Sequence, residues 1–163
     1  ASYAFSHLGP AFAIIKQKQD YFKNPVFNEG DANFRIKTKR GMVKYFAYWS
    51  HSNMGFRTQD LDSVPLKNAF SLRNFNTYQN LNWKETIGRG WKMQAGLSIG
   101  TDRQDIKTEL QNAAAQKQLI TNPFGYAIKN YDLGTKSMDA QARIVLQKRL
   151  GGTNTLRFGS DYF

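Results

Sequence analysis

Residue types able to carry chemistry are few in this chain and poorly spaced for it. His7 and His51 are the only histidines, and no Asp, Glu or His accompanies either at metal-ligand intervals. Asp102, Asp105 and Glu109 come nearest to an acidic cluster, yet they lack the spacing and glycine of an EF-hand loop, and a solvated loop is expected there instead. The absence of cysteine removes disulfides, thiolate zinc sites and cysteine nucleophiles together. No G-x-S-x-G elbow is present, and neither histidine has a triad context. Gly88-Arg89-Gly90 and Gly151-Gly152 do not sit between a strand and a helix, so they read as hairpin turns and not as phosphate loops. Nothing positive points to an enzyme, and no cofactor or metal is expected.

Charge is the remaining chemical signal. With 23 Lys and Arg against 12 Asp and Glu, the formal charge of +11 raises nucleic acid or anionic lipid as partners. Lys39, Arg40, Lys84, Arg89, Lys92, Lys148 and Arg149 gather around glycine-bearing turns, however, and not along one helix or loop. Solvated strand ends account for much of the excess.

The elements that would position these residues follow from period-2 alternation, the mark of a strand with two unlike faces. Trp91, Met93, Ala95, Leu97 and Ile99 alternate with Lys92, Gln94, Gly96 and Ser98. From Met138 to Leu150, Met138, Ala140, Ala142, Ile144, Leu146, Lys148 and Leu150 alternate with Asp139, Gln141, Arg143, Val145, Gln147 and Arg149. Shorter stretches of the same kind run from Ala32 to Lys37 and from Leu156 to Tyr162. Met42 to Met54 is β-prone on both parities, so its faces stay unassigned. Phe70 to Trp83 switches parity midway, which predicts a bulge or two facings. Ala1 to Ile15 is the weakest strand candidate, because of its Gly9-Pro10 step. The whole chain, 1–163, reads as a single unit of six or seven strands.

Short and long connections take turns. Thr38 to Gly41, Glu85 to Arg89 and Gly151 to Thr153 are tight and carry glycine. Gln17 to Asp31, Gly55 to Leu66 and about Arg103 to Lys136 read as long loops, the last with a helix-permissive run from Glu109 to Leu119. Such sorting is expected of a transmembrane β-barrel, with short turns periplasmic and long loops extracellular. The predicted fold is therefore all-β, an antiparallel up-and-down meander forming part of a transmembrane β-barrel. Trp83 and Trp91 flank one short turn, either as membrane-interface aromatics or as core anchors of a soluble hairpin.

No apolar run approaches the ~20 residues of a spanning helix, and Ala1 to Pro10 lacks the form of a signal peptide. An odd strand number and a last strand ending on the loop side predict an incomplete barrel. Its open edges make self-association of the isolated chain the expectation. Two other readings remain: a soluble β-rich module for nucleic acid or another anionic partner, and a complete eight-stranded barrel. Nucleic acid is disfavoured because the clearest strands place aromatics and cations on opposite parities.

The stretches MVKYFAYWSHSNMGF, YQNLNWKETIGRGWKMQAGLSIGTD and SMDAQARIVLQKRLGGTNTLRFGSDYF resemble barrel strands of TonB-dependent receptors, in the style common in Bacteroidetes. The resemblance covers most of residues 32 to 163 and rests on strand-turn-strand pattern and Asn/Tyr/Lys-rich loops. It implies a bacterial outer-membrane protein importing siderophores, vitamins or glycans through a TonB-dependent process. It also implies partners in outer-membrane lipid, in the rest of the barrel, in a plug domain absent from this chain, and in a TonB complex met through other parts of the protein, with Lys92, Gln94, Gln141 and Arg143 lining the lumen against the plug.

Overall fold

Alternation extends further than hydropathy alone reveals, and it builds one antiparallel sheet. The computed structural model describes residues 1–15, 18–63, 65–119 and 129–163. The elements are β1 (Ser2–His7), α1 (Gly9–Ile14), β2 (Asp20–Lys37), β3 (Gly41–Gln59), β4 (Lys67–Gly88), β5 (Trp91–Gln111), β6 (Tyr131–Gly151) and β7 (Asn154–Tyr162). All seven strands pair in chain order, an up-and-down meander as expected.

The three predicted long loops are much shorter than expected. Strand continues through Asp20 to Asp31, through Gly55 to Gln59, and through Arg103 to Gln111 and Tyr131 to Lys136. These stretches are polar on one or both parities, so hydropathy does not mark them as strand. The ladder of a neighbouring strand satisfies their backbone groups all the same. Residues 16–17, 64 and 120–128 of those predicted loops lie outside the described residues.

The helix-permissive run also resolves differently. Glu109 to Gln111 ends β5, and the chain then turns on Asn112, whose Oδ1 accepts hydrogen bonds from the Ala114 and Gln116 backbone N–H groups at 3.0 and 2.9 Å. A side chain that captures local N–H groups in this way offers the backbone an alternative to helix. At the other end, Ala1 to Ile15 is a short strand followed by a short helix. Pro10 lies in the first turn of α1, where its missing N–H costs nothing, and Phe12 stacks on Tyr21 at 5.0 Å.

Pairing of β3 with β4 runs without slip from Gly41↔Glu85 to Gln59↔Lys67. The parity switch in Phe70 to Trp83 is thus two facings and not a bulge. Phe70 and Leu72 point to one side, Leu81 and Trp83 to the other. Irregular register is confined to β2 between Tyr21 and Val26 and to two hairpin ends. The β4–β5 hairpin is tighter than the sequence suggests, because Glu85 to Gly88, read as turn, belong to β4. Arg89 and Gly90 occupy it at φ of 47° and 78°, the paired left-handed conformation that a two-residue turn uses to match strand twist.

Gly41 is needed for close approach, since a Cβ there would lie 1.9 Å from the Lys84 carbonyl oxygen. Gly41→Ala is expected to destabilise the sheet by roughly 1–3 kcal/mol through overpacking against backbone, read as a lower urea midpoint. Gly96→Ala, whose Cβ would meet nothing closer than 3.7 Å, should leave the midpoint nearly unchanged. Equal effects would contradict the β3–β4 register.

Candidate functional site: two unlike faces of one sheet

Directly paired residues in an antiparallel ladder share a face, so the register sorts every strand residue onto one of two surfaces. One rung of the first surface runs Ile36, Val43, Trp83, Ala95 and Ile144, and the next runs Phe34, Tyr45, Leu81, Leu97, Ala142 and Tyr162. Together with Met93, Leu146 and Phe158 they form a continuous apolar belt near the short turns. The belt is open to solvent: Phe34 is 57% exposed and Leu97 55%. Among the described residues Ala69, Leu110 and Val145 are the only buried hydrophobics, so this apolar surface is not covered from within the chain. Exposed patches on this scale are uncommon in soluble monomers and mark contact with a partner or membrane.

The belt has defined limits. On β5 it spans Trp91 to Ile99, and on β6 Leu146 back to Met138, close to the ~9–11 residues with which a tilted strand crosses hydrocarbon. Beyond it the same face turns polar, with Thr101, Arg103, Asp105 and Lys107 on β5 and Lys136 and Asp132 on β6. The strands therefore outrun the belt toward the long-loop end.

All three tryptophans lie on the belt face. Trp83 donates its Nε1–H to Glu85 at 3.2 Å, and Glu85 also accepts from Thr38 Oγ1 and from the Arg40 backbone N–H. Trp91 meets Phe158 edge-on at 5.9 Å, with the Lys148 ammonium over its ring at 5.1 Å. These two rings flank a short turn on the same surface, as the sequence suggests. Trp49 stands at the opposite margin of the belt, packed over Gly30, where a Cβ would meet the indole nitrogen at 2.6 Å.

The second face is polar. Lys92, Gln94, Gln141 and Arg143 all lie on it, paired with Gln147, Val145, Ser98 and Gly96 respectively. Arg143 holds Asp161 at 3.2 Å. The register joins to this face Arg35, Lys37 and Arg157, from the polar sides of the shorter strands, and Lys44, whose side the sequence reading left unassigned, alongside Lys84 and Arg149. Lys44, Phe46 and Tyr48 also share it, so on β3 cations and aromatics coincide, contrary to the segregation seen in the clearest strands. The signal missed was parity on β3, which a chain apolar on both faces conceals.

His7 and His51 fall on the belt face beyond the belt, opposite Val26 and Asn28. Asp102, Asp105 and Glu109 belong to β5 and not to a solvated loop. Asp105 and Glu109 pair with Arg103 and Lys107 at 3.4 and 2.9 Å, while Asp102 points to the other face. No three His, Cys, Asp or Glu side chains converge among the described residues.

Buried ionic contacts tie together the long-loop end. Asp60, 2% exposed, accepts from Lys129 Nζ at 2.7 Å and from Asn68 Nδ2 at 2.8 Å, and Lys129 also meets Asp62 at 2.9 Å. Burial alone would raise the Asp60 pKa, but the hydrogen bonds from Lys129 and Asn68 outweigh it and hold the carboxyl below its usual value. The hydrogen bonds to Asp60 and Asp62 raise the pKa of Lys129. No protein-family model, curated protein or solved structure matches the chain.

A carboxyl depressed in the folded state stabilises above its unfolded pKa and loses that contribution as pH falls through the folded value. The loop end should accordingly loosen below the ordinary carboxylate range, and Asp60→Asn should reproduce this at neutral pH by leaving Lys129 half-paired. Amide hydrogen exchange in residues 58–68 and 108–112 is expected to rise while the turn end stays protected. Unchanged exchange in the variant would show that the contact does not hold these loops together.

Proposed function

We propose that this sheet is a segment of a transmembrane β-barrel of the bacterial outer membrane, serving a receptor that takes up siderophores, vitamins or glycans in a TonB-dependent way. The observation that carries the reading is the belt. A band of membrane-crossing height, uncovered within the chain and flanked by tryptophans, backs a polar face suited to a water-filled or protein-filled lumen. Long strands projecting past the belt, with loops bound by Asp60 and Lys129, suit an extracellular vestibule. The meander leaves β1 and β7 paired on one side each. In lipid those edges require further strands, either from the remainder of a closed barrel or from another copy. The TonB-dependent form of the reading rests on the resemblance of strands and turns to that receptor family, with Lys92, Gln94, Gln141 and Arg143 facing a plug in the lumen.

Because every tryptophan lies on the belt face, fluorescence reports on it directly. In vesicles of bromine-labelled phosphatidylcholine, emission of the refolded chain should be strongly quenched, and water-soluble acrylamide should have little effect. Efficient quenching by acrylamide with none by the brominated chains would exclude lipid contact. TonB dependence is tested separately in cells: ligand capture should persist, and accumulation stop, when the energy-coupling complex is deleted.

A second reading draws on Lys44, Phe46 and Tyr48. A face that offers cations and stacking rings together suits single-stranded nucleic acid, although it leaves the belt without a role. Salt-sensitive binding of an oligonucleotide by the folded chain, lost in Phe46→Ala/Tyr48→Ala, would favour it; undiminished binding in that variant would remove it.

A further inference from the structure

We infer that the turn end of the polar face holds a binding site for a compact, multiply charged anion of the polyphosphate or polycarboxylate class. The site is a cleft of about 290 Å³ lined by Lys84, Lys92, Gln94, Gln147, Arg157 and the buried Val145. Lys84 and Lys92 stand one rung apart on neighbouring strands, a diagonal spacing of about 7–8 Å. Arg157 shares a rung with Lys92 across Gln147, about 10 Å away at two inter-strand spacings. With Arg40, which also lines the cleft, four cations and two amides surround a space matched to a small ligand with several oxygens.

Among the described residues no carboxylate is ion-paired with this group. Glu85 also lines the cleft and keeps its negative charge, its oxygens held by the neutral Thr38 hydroxyl, Arg40 backbone N–H and Trp83 indole, but the lining cations outnumber it. Asp161 is engaged by Arg143. Just above the cleft Arg35 stands directly across from Lys44, a like-charge pairing that disfavours the empty sheet. Charges gathered so closely lie within a Debye length of one another at physiological salt.

The neighbouring rungs limit the occupant's size. Along the strands toward the loop end, the same face next presents Asp31 and Asp139, then Glu29 and Asp102. An extended polyanion lying along the strands would meet those carboxylates, whereas a compact one would not. That favours a small solute over nucleic acid or an acidic polypeptide. The inference does not depend on the membrane reading, because the cleft is a property of the sheet in any surroundings.

Isothermal titration of the folded chain in non-ionic detergent at low salt, with inorganic pyrophosphate as probe, tests it. Saturable binding is expected that weakens as salt rises, with acetate giving none. Lys84→Gln/Lys92→Gln should weaken it by about tenfold or more, as expected when charge-assisted hydrogen bonds are removed. Lys23→Gln/Lys136→Gln removes the same charge from the other face and should leave affinity unchanged, with circular dichroism verifying that both variants fold. The inference is overturned if pyrophosphate does not bind, if acetate binds as well, if both variants weaken binding alike, or if only an oligonucleotide or Glu-rich peptide binds.

Discussion

Main-chain hydrogen bonding carries this sheet, because burial contributes so little. Among the described residues Ala69, Leu110 and Val145 are the only buried hydrophobics, and none of those residues forms a second layer against either face. What remains is a succession of antiparallel ladders in which each interior strand satisfies its N–H and C=O groups on both sides. Pairing of this kind needs no hydrophobic core of its own, and in hydrocarbon it gains strength because no water competes for the backbone. The same constraint explains why register matters so much here. A slip of one residue would carry a strand's apolar belt residues to the cationic face and its cations into the belt.

Around that ladder the side chains divide by height as well as by face. Near the short turns the belt face is apolar and the opposite face is cationic. Toward the long loops the arrangement reverses: ion pairs such as Lys107 with Glu109 occupy the belt face, while Phe56 and Phe70 meet at 5.3 Å on the other. The parity switch within β4 is the local expression of this reversal. Phe70 and Leu72 serve the loop-end cluster, and Leu81 and Trp83 serve the belt. One strand of ordinary geometry thereby crosses two environments, which is why no bulge is needed.

Much of this was legible from residues alone. The alternation in Trp91 to Ile99 and in Met138 to Leu150 identified two unlike sides on each strand, with Lys92 and Gln94 on the polar side of one and Gln141 and Arg143 on the polar side of the other. Glycine-bearing turns located the three hairpins, although Glu85 to Gly88, read as turn, belong to β4. Strand lengths were not legible, because Arg103 to Gln111 and Tyr131 to Lys136 are polar enough to pass for loop. Asn112 likewise overrode the helix-permissive run with hydrogen bonds that hydropathy does not register.

The sequence by itself determined the meander, the sorting of short from long connections and the side that the clearest strands turn toward each other, since alternation and turn chemistry are local properties. Only the tertiary structure decided which strands' polar sides meet. The gathering of Lys84, Lys92 and Arg157 around one cleft, the pairing of Arg35 with Lys44, and the contact of Asp60 with Lys129 all join residues distant in the chain. Their proximity depends on inter-strand register, a long-range quantity set by the pairing of whole strands, and no local pattern contains it.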